Sequence, residues 1–331
     1  MKKIIALTLI AVMALCCLTA CGGNGKATNS DAVQTGKLKI VCTIFPLYDW
    51  VKNILGDEAE NADLTLLLDT GTDLHSFQPT AADILTVTGC DLFVYVGGES
   101  DSWADDIFST TESSALKLNM MDVLGENVVE EEVVEGMQGE AEEEEEDHGV
   151  PELEYDEHVW LSLKNANELC AAIRDALVQA DPSHKDVYEA NCGKYRQDLA
   201  VLDGEYAEAV NNSARKAVLF ADRFPFRYMV EDYGLDYYAA FVGCSAETEA
   251  SFETIKFLAN KADELSLPVL LTTETSDGSI AETVRSTSQS KNQEILVMNA
   301  MQSVTADKLD SGITYLQTMK DNLEVLKQAL N

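Results

Sequence analysis

The stretch SHKDVYEANCGKYRQDLAVLDGEYAEAVNNS, Ser183 to Ser213, decides how the rest of the chain is organised. It contains no proline and is interrupted only by the single glycines Gly193 and Gly204. Ser183 stands where a helix N-cap belongs, and Val187, Tyr188, Tyr195, Leu199 and Leu202 recur at helical spacing to give one apolar stripe. A helix of this length is long for a globular protein. On both sides of it, strand-like and helix-like segments alternate, so it reads as a spine joining two lobes.

Upstream, KLKIVCTIF (37–45), ADLTLLL (62–68) and DLFVYVG (91–97) have the β-branched, apolar character of strands. PLYDWVKNIL (46–55) and PTAADILTV (79–87) lie between them as helices. Downstream, KAVLFAD (216–222), LDYYAAFVG (235–243), LPVLLTTE (267–274) and EILVMNAM (294–301) are strands. Helical segments separate these four, and GITYLQTMKDNLEVLKQAL (312–330) closes the chain. Strands alternating with helices predict parallel sheets. The fold class is therefore α/β, with two βα-type lobes, each with a mostly parallel sheet, joined by a long rigid helix with a ligand cleft between them. Such sheets bind ligands beyond the carboxyl ends of their strands.

The N-terminus sets the compartment. MKKIIALTLIAVMALCCLTAC has two lysines, a short apolar run and small residues before Cys21. It is too short to span a membrane and reads as a secretory signal over residues 1–20. LTAC resembles a lipoprotein cleavage box, which makes Cys21 the lipid-bearing first residue and residues 21–36 a flexible tether. The expected organisation is then an N-terminal lobe over 37–182, a linker helix over 183–214 and a C-terminal lobe over 215–331. The expected location is the outer face of the cell membrane, through the lipid anchor.

The formal charge of −35 argues against nucleic acid as a partner. Much of it is local, because residues 126–147 hold twelve acids and no Lys or Arg. Such a run predicts a disordered acidic insertion over about 126–150 that gathers divalent cations weakly, with His148 as one better ligand. Beyond Cys21 the cysteines are Cys42, Cys90, Cys170, Cys192 and Cys244. Their odd number and lack of CxxC spacing speak against a disulfide framework or a thiolate metal site, and most read as small buried hydrophobes.

Two motifs carry a resemblance. GTDLHSFQPTAADI, Gly71 to Ile84, and DEHVWLSLKNA, Asp156 to Ala166, each present one of the chain's four histidines. Together with YGLDY, Tyr233 to Tyr237, they resemble the zinc/manganese-type (cluster A-I) metal-binding lipoproteins of bacterial ABC transporters. The likeness runs from Lys37 to Leu330. It implies that His75 and His158 are metal ligands from the N-terminal lobe, that Trp160 packs in the cleft wall, and that the lobes adjust rather than close widely. It also implies capture of a divalent metal, Zn(II) first and Mn(II) second, and delivery to an ABC permease with its ATPase by a monomer. Imidazole suits zinc and also serves manganese.

The C-terminal lobe departs from the family pattern. The family's third ligand, a His or Glu ten residues before the Tyr of YGL, falls on Arg223, and a guanidinium cannot coordinate a cation. The fourth, often Asp, falls on Asn299. Three readings stay open. Asp222 supplies an oxygen while Glu274 pairs with Arg223; or the histidines act with Glu274 or water alone; or Arg223 makes the cleft select an anion or a metal complex. His184 reads as a surface residue near the start of the spine. Other classes are a surface adhesin and a zinc hydrolase. The hydrolase lacks an HExxH helix, a G-x-S-x-G elbow and a phosphate loop in this sequence, so the expectation is a binding protein and not an enzyme.

Overall fold

The computed structural model describes residues 36–138, 154–245 and 249–331. The signal segment, Cys21 and His148 lie outside the described residues. The first sheet contains β1 (Leu38–Cys42), β2 (Ala62–Leu66), β3 (Leu92–Tyr95) and β4 (Leu116–Asn119), in the order β2-β1-β3-β4. The second contains β5 (Ala217–Phe224), β6 (Asp236–Val242), β7 (Val269–Thr272) and β8 (Glu294–Val297), in the order β6-β5-β7-β8. All pairings are parallel. The second lobe thus repeats the strand order of the first. In each, the order switches at the first strand, which leaves a crevice at the carboxyl ends of β1 and β5.

Strand β3, LFVY, is buried along its whole length, as expected of a parallel strand covered on both faces. The neighbouring β4, LKLN, is not foreseen from sequence. Four residues with a lysine and an asparagine carry little pattern, and the strand forms because β3 offers an edge in register from Leu92↔Leu116 to Tyr95↔Asn119.

The spine helix runs from Lys185 to Asn212. Its buried face is Tyr188, Cys192, Tyr195, Leu199, Leu202, Tyr206 and Val210, steps of three and four that keep one stripe on the core. The expected N-cap at Ser183 is displaced. Pro182–His184 form a 3₁₀ turn in which the Asp181 side chain accepts from Ser183 N, and the helix begins after His184. His184 is a structural residue at this corner, paired with Asp181 and, at 3.4 Å, with Glu58.

One apolar core runs through both lobes, from Ile40 and Trp50 to Phe220 and Leu326. The last helix, Tyr315–Leu330, ties them together. Tyr315 donates from its hydroxyl to Trp160 O at 2.6 Å, meets Trp50 edge-on at 5.1 Å, and gives its backbone N–H to Asp49 at 3.0 Å. A wide hinge motion would have to open this packed interior, and close-packed interiors resist that.

The acidic run needs a correction over residues 126–138. This part is laid along both lobes rather than left in solvent. Glu131 N donates to Glu154 O at 2.9 Å, Asp156 N donates to Val129 O at 2.9 Å, and Gln138 N donates to Ala240 O at 2.9 Å. The acids are interleaved with Val128, Val129, Val134 and Met137, which pack on the core, and Glu132 pairs with Arg227 at 3.2 Å. Charge count alone concealed that apolar alternation.

Candidate metal centre

His75 reaches the crevice from the loop after β2. Leu74 is fully buried and anchors the 3₁₀ turn Leu74–Ser76, while Asp73 accepts from His75 N at 3.1 Å. Thr80 and Asp83 form a capping box that starts the next helix and ends the loop. The ring is held by its outer nitrogen. His75 Nδ1 lies 2.8 Å from Ser100 Oγ and 3.6 Å from Glu157 Oε2. Ser100 is itself fixed, because its N–H donates to Glu157 Oε1 at 2.9 Å.

His158 is fixed the same way and more deeply. Asp156 Oδ1 accepts both its backbone N–H at 2.8 Å and its ring Nδ1–H at 3.0 Å. The imidazole is fully buried, beside Trp160 at 5.2 Å between ring centroids. Trp160 is itself fully buried and donates from Nε1 to Ala300 O at 2.8 Å. Gly243 lies against the other side of His158. A Cβ there would sit 2.9 Å from His158 Cε1 and 2.9 Å from Phe224 O, so the ring has its place because position 243 lacks a side chain.

With both Nδ1 atoms engaged, the two Nε2 atoms face each other at 3.2 Å. Two imidazoles on a tetrahedral zinc, at Zn–N of 2.0–2.1 Å, hold their nitrogens about 3.3–3.4 Å apart. The Gln302 amide lies 3.0 Å and 2.7 Å from the same two nitrogens. One proton or one cation fits between them. Burial pushes His75 down to about 3, and the charge on His158 adds to that. Burial also opposes charge on His158, but Asp156, by charge and hydrogen bond, then Glu157 and Glu131, outweigh it and raise that imidazole. Of the two imidazoles, His158 is therefore the one whose charged form its surroundings favour.

A third donor comes from the second lobe. Cys244 follows β6, and its Sγ with one ring nitrogen of each histidine forms a set lying within 4.8 Å of one another. The sequence reading passed over this cysteine. Its only signal was position, in VGCS at the carboxyl end of a strand; the other four cysteines described are buried, whereas Cys244 is partly exposed. Gln302 was also missed, since nothing in NAMQS marks a ligand-facing amide.

The C-lobe residues expected from sequence are placed otherwise. Asp222 does not join the set. A bulge in β5 between Phe220 and Arg223 leaves its carboxylate facing β7, where Oδ2 accepts from Thr273 N at 2.8 Å and Thr273 Oγ1 at 2.6 Å. Glu274 is partly buried and accepts from Ala300 N at 2.7 Å and Gln302 N at 3.0 Å, so it shapes the turn that presents Gln302. Asn299 accepts from Met301 N at 2.8 Å in the same turn. Arg223 pairs with Asp73 at 2.9 Å rather than with Glu274. It also donates to Ser245 O at 3.3 Å, and so ties the His75 loop to the Cys244 loop.

A cleft of about 500 Å³ opens on His75 and Cys244, lined also by Ser100, Glu131, Tyr155 and Glu157. A larger hollow of about 1070 Å³ adjoins it, lined by Glu130, Glu131, Glu132 and Arg227, and touches neither imidazole. The acidic run reaches the ligand loop directly, because Glu131 Oε1 accepts from Cys244 N at 3.1 Å. Burial pushes the Cys244 thiol up, and Asp156, Glu131 and Glu157 push it further, so the sulfur keeps its proton until a cation competes for it.

Residues 40–329 match the family described as zinc-uptake complex component A, periplasmic. The zinc-binding lipoprotein AdcA of Streptococcus pneumoniae is 30% identical over 330 residues, which are 99% of this chain and 61% of that relative. The chain thus spans about three fifths of that relative's length. The high-affinity zinc uptake system protein ZnuA of Bacillus subtilis is 29% identical over 321 residues, 96% of each chain. Among solved structures, the Zn(II)-bound ZnuA-like domain of Streptococcus pneumoniae AdcA is similar at 27% identity and a TM-score of 0.69, covering 89% of this chain and 99% of that one. Two like-ordered parallel sheets, a spine between them and two histidines converging in the crevice agree with that match, and the chain belongs to the family of zinc-uptake complex component A.

Proposed function

We propose that this protein captures a divalent transition metal outside the cytoplasm, Zn(II) first, and hands it to an ABC permease for import. The observation that carries the proposal is the pair of Nε2 atoms 3.2 Å apart with both Nδ1 atoms engaged. That arrangement fixes each ring so that its free nitrogen faces the shared point, as a second sphere does for histidine ligands. The family is one of zinc-uptake components, and the relatives' names are those of zinc-binding and zinc-uptake proteins. In this reading Cys21 carries the lipid, residues 21–36 tether the lobes to the membrane, and the protein acts as a monomer. Because one core runs through both lobes, capture proceeds by adjustment of the ligand loops.

The anion reading finds little support, since the Arg223 charge is matched by Asp73 at 2.9 Å. The test is calorimetric titration of metal-stripped protein with zinc and manganese, beside the double variant His75→Ala, His158→Ala. One tight zinc equivalent, absent in the variant, is expected. A wild type without a tight site for either metal refutes metal capture.

A further inference from the structure

We propose that Cys244 supplies a thiolate ligand from the second lobe, so that the cargo is held by two imidazole nitrogens and one sulfur. The inference rests on metal capture by His75 and His158 and deepens it by naming the class of ion. Among the described residues the metal-capable set is His75, His158 and Cys244, their donor atoms within 4.8 Å of one another. On a tetrahedral zinc, with bonds of 2.0–2.1 Å to nitrogen and 2.3 Å to sulfur, nitrogen and sulfur stand about 3.6 Å apart. The sulfur therefore needs to travel at most about 1 Å, within reach of a cysteine rotamer on a loop.

The surroundings support that role. Position 223, where the resemblance places a C-lobe ligand, holds an arginine that cannot coordinate. Instead its guanidinium bonds Ser245 O and Asp73, which brackets Cys244 against the His75 loop. On the other side Glu131 accepts from Cys244 N at 3.1 Å. The β6 loop thus offers the C-lobe donor that position 223 cannot, and Arg223 holds that loop against the His75 loop. Binding transfers the thiol proton to solvent as the metal–sulfur bond forms. Thiolate selects zinc, cadmium and copper(I), whereas manganese prefers oxygen. The cleft therefore discriminates against manganese through its donor chemistry.

Cobalt(II) is the probe, because sulfur ligation adds a thiolate-to-metal charge-transfer band to the visible d–d bands of a tetrahedral ion. The protein, its Cys244→Ser variant and its His75→Ala, His158→Ala variant are titrated side by side. Separately, alkylation of Cys244 in the wild type is mapped with and without zinc, which needs no variant to fold. The expected result is a charge-transfer band in the wild type that is lost in Cys244→Ser, zinc affinity lower by at least 100-fold in that variant, and zinc-dependent protection of Cys244. Tetrahedral d–d bands without charge transfer, with unchanged zinc affinity in Cys244→Ser, overturn the thiolate while leaving capture by the histidines standing. No bound cobalt or zinc in the wild type overturns both.

Discussion

Replacing Arg223 by Met removes the guanidinium that joins the two ligand loops, and the size of the loss follows from its setting. The pair with Asp73 is 2.9 Å long, and its side chains are 18% and 15% exposed. Fully exposed pairs contribute about 0–1 kcal/mol. Breaking a buried one costs about 3–5 kcal/mol, because a charge is left unpaired. This pair lies between those limits, which gives about 2 kcal/mol. The two further bonds of Arg223, to Ser245 O and Thr275 Oγ1, are both 3.3 Å and add little. A loss of that size corresponds to a fall in Tm of about 3 °C for a chain of this length. The assay is denaturant unfolding of Arg223→Met, Asp73→Asn and the double variant. Asn at 73 keeps an oxygen for His75 N, so the cycle isolates the ion pair. A coupling energy of about 1–2 kcal/mol is expected. Zinc binding should weaken in parallel, since the His75 and Cys244 loops are no longer held together. Coupling below about 0.3 kcal/mol, or unchanged zinc affinity in Arg223→Met, refutes the tether.

Four other outcomes follow from the geometry. Gly243→Ala drives a methyl group into the His158 ring and Phe224 O, and should cost about 1–3 kcal/mol of stability and weaken zinc binding, measured by unfolding and calorimetry together. Zinc binding at Nε2 must displace the Nε2 proton of the charged His158 imidazole, whose charged form Asp156 favours through Nδ1, so affinity rises with pH and levels off above that raised imidazole, by at most about tenfold per pH unit for this proton; pH-independent titrations across that range would count against it. Gln302→Glu turns a neutral amide facing both imidazoles into a carboxylate, and zinc affinity should rise about tenfold, seen as about 1.4 kcal/mol in a competition titration. Burial pushes Asp101 up to about 7 from 3.8, so the folded state holds the extra proton between those values. Its contribution is fully present below the unfolded value and lost as pH rises toward 7, by up to about 4 kcal/mol, and Asp101→Asn should flatten that slope.

Much of the architecture was legible because long-range features were written in local pattern. The stripe from Tyr188 to Leu202 announced the spine, and apolar runs such as LFVY announced buried parallel strands. His75 and His158 were legible because each sits in a motif whose other residues do visible work. Asp73 and Asp156 accept the backbone N–H of the histidine two residues on, and Thr80 caps the following helix. The second lobe was less legible because its side chains are directed by a bulge and by turns. Asp222 and Arg223 are adjacent, yet one faces β7 and the other reaches Asp73 across the crevice. No periodicity in FADRFPF encodes that difference.

The acidic run shows why composition and placement must be separated. As a count of charges it belongs in solvent, and that argument holds only while its valines and Met137 are ignored. Residues 126–138 instead bring Glu131 to the Cys244 backbone and Glu132 to Arg227, while Val129 joins Asp156, whose carboxylate holds His158. The run therefore contacts the supports of a ligand loop in each lobe. The Glu131 carboxylate also lines the cleft that leads to His75 and Cys244, where it favours any approaching cation. Orientation of the ligands and attraction of the ion are then two consequences of one segment. A change that neutralised Glu131 alone would touch both, weakening the hold on Cys244 as well as the field at the cleft mouth.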